Sequence, residues 1–364
     1  MEWIYLVWND MEPKLVSMIQ AQDYPDIIAV QEVTNYVAME ALEPLDGYLD
    51  KGADPLRKAS FIPAGLDYFT IDNKLYAIPD RIVNYGLVVN EPLLNSVGMK
   101  LEDLKTWDDI KKAAGLMTKG DVYGYAIAMG NPRFAFRDGL IASGSDGFSP
   151  NQVEKEKQYK EMLQFYRDMA PYMPKAQVTW AYPEMFTAFC NNRIGLIANG
   201  NYFSANVYSI NPEIMKVSRA IPFPRGPSAS SAKGGSLLSS MGYSIVKGSR
   251  NREAAWNVIK VFNENELSAR SAAALNMTAK TGVTPDMVGK YAKDVYPAAL
   301  DGHLRIIADF SKAAADAGVP MPKILGQAQM EPVFQKQLLD LIAGSVTVDR
   351  AYANIAEEIK KIQF

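Results

Sequence analysis

The chain of 364 residues has one cysteine and one histidine. A single cysteine, Cys190, cannot close an internal disulfide. Its setting, Phe186-Thr187-Ala188-Phe189, reads as a buried helix face, where a free thiol packs as a small apolar group. A single histidine, His303, excludes a histidine-rich metal site. No serine elbow or local cysteine signature accompanies it, so His303 reads as structural and no metal or cofactor is implied. No run of about 18 apolar residues is present, which excludes a membrane-spanning helix. The net charge is -3 and no basic cluster stands out, which argues against nucleic acid as a partner. Coiled-coil heptads, low-complexity tracts and internal repeats are also missing. The first residues lack the basic stretch and small-residue cleavage site of a signal peptide, and residues 3–7 read instead as a strand.

What is present describes a larger globular protein. The length favours two domains. The first 250 residues or so alternate strands and helices, an α/β pattern, and the remainder is almost wholly helical. Asp10 caps a helix over 11–21, and Ile27-Ile28-Ala29-Val30 is an apolar strand of the kind buried in a parallel sheet. Gln31 and Glu32 follow at its carboxyl end, where ligands gather in open α/β sheets. Asp72-Asn73 forms a tight turn, since short Asx side chains tolerate left-handed geometry. A polar break at 80–84 then separates two strand-like runs, as expected where a chain leaves one lobe for another. Thr106 and Asp109 have the spacing of a capping box. Residues 241–246 form a second such junction.

Motifs for chemistry are weak. Asp108-Asp109 and Glu357-Glu358 are adjacent on helices and point apart. Gly234-Gly235-Ser236 lacks the spacing of a phosphate-binding loop. Glu32 and Asp80 fit either a glycosidic acid pair or lone acceptors for sugar hydroxyls. Trp8, Tyr85, Phe134, Trp180, Tyr202 and Tyr243 all fall in or beside strand-end loops. Aromatic rings there offer flat faces to sugars, and nearby amides and acids bond hydroxyls; the same rings can equally be covering the core.

Several segments, in order, resemble one family. They are Tyr24-Pro25-Asp26-Ile27-Ile28, Leu42-Glu43-Pro44-Leu45-Asp46, Asn73-Lys74-Leu75-Tyr76-Ala77-Ile78-Pro79, Asn90 with Leu93-Leu94, Thr106-Trp107-Asp108-Asp109-Ile110, residues 243–256 (YSIVKGSRNREAAW) and residues 344–352. Together they are similar to the extracellular solute-binding proteins of ABC importers, the maltose-binding-protein-like group. The resemblance implies the two-lobed periplasmic-binding-protein fold of type II. Each lobe is then a mostly parallel sheet with flanking helices, joined by strand crossovers, with a helix-rich C-terminal part. It implies lobes of residues 1–81 with 248–301 and 82–247 with 302–364, hinged near 80–84, 244–248 and 301–305. It implies no catalysis, a mono- or oligosaccharide held between the lobes, and permease subunits of an ABC transporter as partners. The location implied is periplasmic or extracellular, with membrane contact only through the permease or a lipid anchor. By position, the ligand-binding residues are Trp8, Asn9, Gln31, Glu32, Asp80, Arg81, Tyr85, Asn131, Arg133, Trp180, Asn201, Tyr202, Gly242 and Tyr243. A polyamine or sugar phosphate is the alternative solute, the latter favoured if Arg81, Arg133 and Arg225 cluster, and a carbohydrate-active enzyme is the third reading.

One departure is expected to matter. The family carries a signal, a strand and a helix ahead of the segment matching residues 3–7. Without that central strand two rows of backbone groups lack partners. The expectation is that another segment or chain fills the gap, or that the first lobe packs poorly.

Overall fold

The computed structural model describes residues 2–6, 8–53, 56–144, 154–275 and 277–362. In chain order its strands are β1 (Ile27–Val30), β2 (Thr70–Ile71), β3 (Lys74–Leu75), β4 (Ile78–Asn90), β5 (Tyr123–Ala126), β6 (Ile194–Gly200), β7 (Ser218–Ile221), β8 (Ser236–Ile245) and β9 (Gly318–Pro320). Two compact units emerge. Unit 1 is Met1–Ile82, Ser240–Ser271 and Thr278–Met287; unit 2 is Val83–Ser239, Ala272–Met277 and Val288–Phe364. The chain passes from unit 1 to unit 2 within β4 and returns within β8. Residues 240–247 thus belong to unit 1 and residues 288–301 to unit 2.

In unit 1, β1 runs antiparallel to the end of β8, from Ile27 opposite Ile245 to Val30 opposite Gly242. The β2–β3 hairpin turns on Asp72 and Asn73, with φ of 47° and 61°, the left-handed geometry anticipated for that pair. Segments that carried the family resemblance touch one another here. Asp46 accepts the Leu75 N–H at 2.9 Å and the Leu45 N–H reaches the Leu75 carbonyl at 2.7 Å. Asp26 accepts the Ser249 hydroxyl at 2.6 Å. Ala77, Ile78, Leu45, Phe69, Ile245 and Ile259 form the fully buried centre of this unit.

In unit 2, β4 is antiparallel to β6 and to β7, while β5 and β6 are parallel. Helices Pro132–Ala142, Glu156–Met169 and Tyr182–Cys190 lie between β5 and β6 in sequence, and a parallel pair needs such a crossover. The α/β architecture is the one read from the sequence; within it the pairing is mixed. The helical C-terminal part is also present, from Leu300–Ala317 through Gln327–Ile342 to Val348–Ile359.

Local capping chemistry behaves as the sequence suggests. Asp109 donates its N–H to Thr106 Oγ1 at 3.3 Å and accepts the Thr106 N–H at 2.8 Å. Asn90 accepts the Leu93 N–H at 3.3 Å and so starts the next helix. Cys190 is buried on its helix, and desolvation pushes its thiol up to about 12. His303 is fully buried against Tyr296, with ring centroids 4.1 Å apart.

Three expectations differ. Residues 80–84 do not interrupt the strand: β4 is continuous over 13 residues. Its polar side chains bond laterally to other segments, and the backbone ladder runs on. Asn84, fully buried, donates to Ser236 Oγ at 3.1 Å and to the Phe310 carbonyl at 2.8 Å. Residues 3–6 form no strand; Trp3 is 56% and Tyr5 88% exposed. The segment stays irregular although β1 ends the strand order with β8 as its one neighbour among the described residues; β-forming composition alone does not make a ladder. Finally, Trp8 and Asn9 open the helix Trp8–Gln20 rather than a loop.

Candidate functional site

The unit 1 candidates gather where β4 begins. Asp80 is 4% exposed and lies 3.1 Å from the Arg81 guanidinium. The Ser271 hydroxyl donates to Asp80 Oδ2 at 3.1 Å and accepts from Arg81 Nη1 at 3.2 Å, closing a three-residue ring of charge-assisted bonds. Arg81 Nε also reaches Met241 Sδ at 3.3 Å. Burial raises the Asp80 pKa, while Arg81 and Ser271 pull it back down. Tyr243 is half-buried, with its ring 4.9 Å from that of Phe262. Burial and the nearby Asp80 carboxylate raise the pKa of its phenol.

Other unit 1 candidates have local duties. Glu32 accepts the Thr34 N–H at 2.7 Å, so one of its oxygens is engaged at the start of helix Thr34–Ala38. Gln31 follows Val30, the register partner of Gly242, and is half-buried. Gly242 is required by packing: a Cβ there would stand 2.3 Å from the Ile78 carbonyl oxygen. The side chains of Trp8 and Asn9 lie outside the described residues.

The unit 2 candidates meet around one guanidinium. Tyr85 comes from β4, Phe134 and Arg137 from helix Pro132–Ala142, Tyr182 from the start of helix Tyr182–Cys190, and Tyr202 from the loop after β6. Arg137 Cζ lies 5.2 Å from the centroids of Tyr85 and Phe134 and 4.8 Å from that of Tyr182. Those distances are within reach of cation–π attraction. Phe134 and Tyr182 are stacked at 3.8 Å and 3°. Tyr202 meets Tyr85 edge to face at 6.0 Å, and its hydroxyl lies 2.8 Å from that of Tyr182. Tyr85 is 7% exposed, whereas Phe134 and Tyr202 are half-buried.

Charge inside this cluster is balanced locally. Arg137 Nη2 bonds Asp138 Oδ1 at 2.9 Å, and Asp138 is fully buried. Burial pushes the Asp138 carboxyl up to about 6 against the pull of Arg137. Burial opposes the Arg137 charge, and the paired Asp138 carboxylate offsets it. Desolvation raises the Tyr202 phenol far above its ordinary value, so it acts as a neutral hydroxyl.

The remaining candidates frame the cluster. Asn131 caps helix Pro132–Ala142, accepting the Arg133 N–H at 3.1 Å. Arg133 acts electrostatically on Tyr202. The Trp180 carbonyl accepts the Gly130 N–H at 2.7 Å, and its half-buried ring packs on the unit 2 core. Asn201 is 1% exposed and donates its backbone N–H to the Asn84 carbonyl at 2.9 Å. Arg225 is exposed, its carbonyl accepting the Trp107 N–H. Sequence reading missed Arg137, Asp138 and Tyr182. The signal available was the spacing of Phe134 and Arg137, three apart on one helix face, but nothing local shows which rings converge on them.

A sequence profile described as bacterial extracellular solute-binding protein matches residues 1–320. The chain belongs to that family. A search of curated proteins finds no match. Solved structures share the fold. An ABC transporter solute-binding protein from Thermotoga lettingae, bound with alpha-D-tagatose, superposes with a TM-score of 0.76 at 20% identity, over 97% of this chain and 89% of that one. The GacH receptor of Streptomyces glaucescens, solved unliganded and with acarbose, gives 0.77 at 19% identity, over 99% and 89%. The maltotriose-binding protein of Thermus thermophilus gives 0.72 at 19%, over 98% and 90%.

An extracellular solute-binding protein captures its solute outside the cytoplasm and does no chemistry on it. Glu32 and Asp80 are accordingly not a catalytic acid pair. Each has another use in the fold, one at a helix start and the other within the Arg81–Ser271 ring.

Proposed function

We propose that this solute-binding protein is the carbohydrate receptor of an ABC importer and hands its sugar to the permease subunits. The observation that carries the reading is the aromatic group of unit 2, where Tyr85, Phe134, Tyr182 and Tyr202 converge and two of the rings remain half-open. Ring faces cover the C–H surface of a pyranose, and phenol, amide and guanidinium groups bond its hydroxyls. Tyr202 and Trp180 supply faces; Asn131, Arg133 and Asn201 supply polar groups. In unit 1, Asp80, Arg81, Gln31, Glu32 and Tyr243 form a second polar and aromatic set. The bound sugars named for the similar structures, tagatose, acarbose and maltotriose, support the same class. The sequence's division into two lobes with crossovers near 80–84, 244–248 and 301–305 is part of this proposal, as is anchorage at the cell surface.

A thermal-shift screen over mono- and oligosaccharides, polyamines and sugar phosphates tests it. A ligand that binds only the folded state raises the melting temperature by mass action. A shift with sugars, reduced by Tyr202→Ala, supports the reading. A shift only with a polyamine or a sugar phosphate overturns the carbohydrate assignment.

A further inference from the structure

Aromatic rings drawn around one point make a site that can take a cation. In unit 2 that point is already filled. The Arg137 guanidinium stands over Tyr85, Phe134 and Tyr182 at 4.8–5.2 Å, with Tyr202 completing the group through its contacts to Tyr85 and Tyr182. The rings come from β4, two helices and a loop, so the cage is a product of tertiary packing. Arg137 is fixed in it by the 2.9 Å bond to Asp138, whose side chain has no exposure to water. Arg133, one turn earlier on the same helix, adds a second positive charge acting on Tyr202.

We propose that Arg137 is the resident cation of this cage and bars cationic solutes from the site, restricting it to neutral or anionic ones. The proposal rests on the solute-receptor reading of the same residues and names the class of solute that they admit. Two physical effects act together. The ring faces that an ammonium would use are turned to the guanidinium. A second cation would also meet the Arg137 guanidinium at short range in a poorly screened setting, where like charges repel more strongly than in water. Sugar hydroxyls and carboxylates meet neither obstacle. Arg137 is thus a specificity residue, packed against the faces of Tyr85 and Tyr182.

The test compares wild type, R137K and the double variant R137M/D138N. The double variant removes both charges, because Arg137 alone cannot be removed without leaving Asp138 buried and unpaired. Melting curves and calorimetric titrations use tetramethylammonium chloride and spermidine, with sodium chloride at matched ionic strength and maltotriose as the sugar arm. Wild type and R137K are expected to respond to the two cations no more than to sodium chloride. The double variant is expected to bind tetramethylammonium at least about ten-fold more tightly than wild type. Binding of either cation by wild type overturns the proposal, and so does a folded double variant that gains no affinity for tetramethylammonium. If the double variant does not fold, R137Q/D138N takes its place, judged by the same gain. Failure of the sugar arm in wild type counts against the carbohydrate reading alone, since the cation comparison is read separately.

Discussion

The phenolic oxygens of Tyr182 and Tyr202 lie 2.8 Å apart, so the ring that opens toward solvent is tethered by a hydrogen bond to one that is 8% exposed. Tethering reduces the rotamer freedom Tyr202 would lose on stacking against a sugar. Tyr202→Ala removes both ring and tether, and solute affinity should fall about ten-fold, or roughly 1.4 kcal/mol. Tyr182→Phe keeps the stacked ring on Phe134 and should cost less than Tyr202→Ala. Titration calorimetry with the best sugar from the screen measures both. Unchanged affinity in Tyr202→Ala would remove this tyrosine from the site.

His303 gives the fold a pH dependence with a definite sign. Its folded pKa is lowered from 6.5 to about 4 by burial. The unfolded chain therefore binds the proton first. The stability linked to the neutral imidazole is complete above pH 6.5 and is lost as the pH falls toward about 4, roughly 3 kcal/mol in all. Urea midpoints between pH 7 and 4 should fall less steeply in His303→Leu than in wild type. Parallel slopes in the two proteins would show that the imidazole is not the source.

Gly242 should tolerate no side chain. Its added Cβ would sit 2.3 Å from the Ile78 carbonyl oxygen, a backbone atom that cannot swing aside. Gly242→Ala should destabilise the protein by about 1–3 kcal/mol, the usual range for overpacking. Gly47→Ala is the control, since no heavy atom lies within 4 Å of its added Cβ. Chemical denaturation of the pair separates a packing role for Gly242 from a direct role in solute binding, which would lower affinity without altering stability.

Thr106→Ala should cost about 1 kcal/mol, because it deletes the N-cap of helix Trp107–Met117. Asp109 loses the hydroxyl to which its N–H donates. The measurement is again the denaturation midpoint, with Thr106→Ser expected to restore most of the loss.

Much of the fold was legible because its causes are local. Asp72-Asn73, the caps at Asn90 and Thr106 and the helical C-terminal part follow from backbone preferences and hydrogen bonds a few residues apart. The candidate site was legible only in outline. Asp80 with Arg81, and Tyr85 with Tyr202, do come together within their units. Glu32 and Asn131 each spend an oxygen on a helix start.

The sequence by itself determined the α/β alternation, the turns and caps, and the family, since these depend on side-chain type and short-range spacing. Tertiary structure alone decided that β4 runs unbroken past Asp80 and Arg81, because Ser271 and Met241 receive their side chains from distant segments. It also decided that residues 3–6, strand-like in composition, form no strand, because composition sets a propensity and pairing is settled by tertiary context. Arg137 is the clearest case. On its helix it looks like a solvated charge; the rings that surround it come from positions 85, 134 and 182, and only packing brings them to one guanidinium.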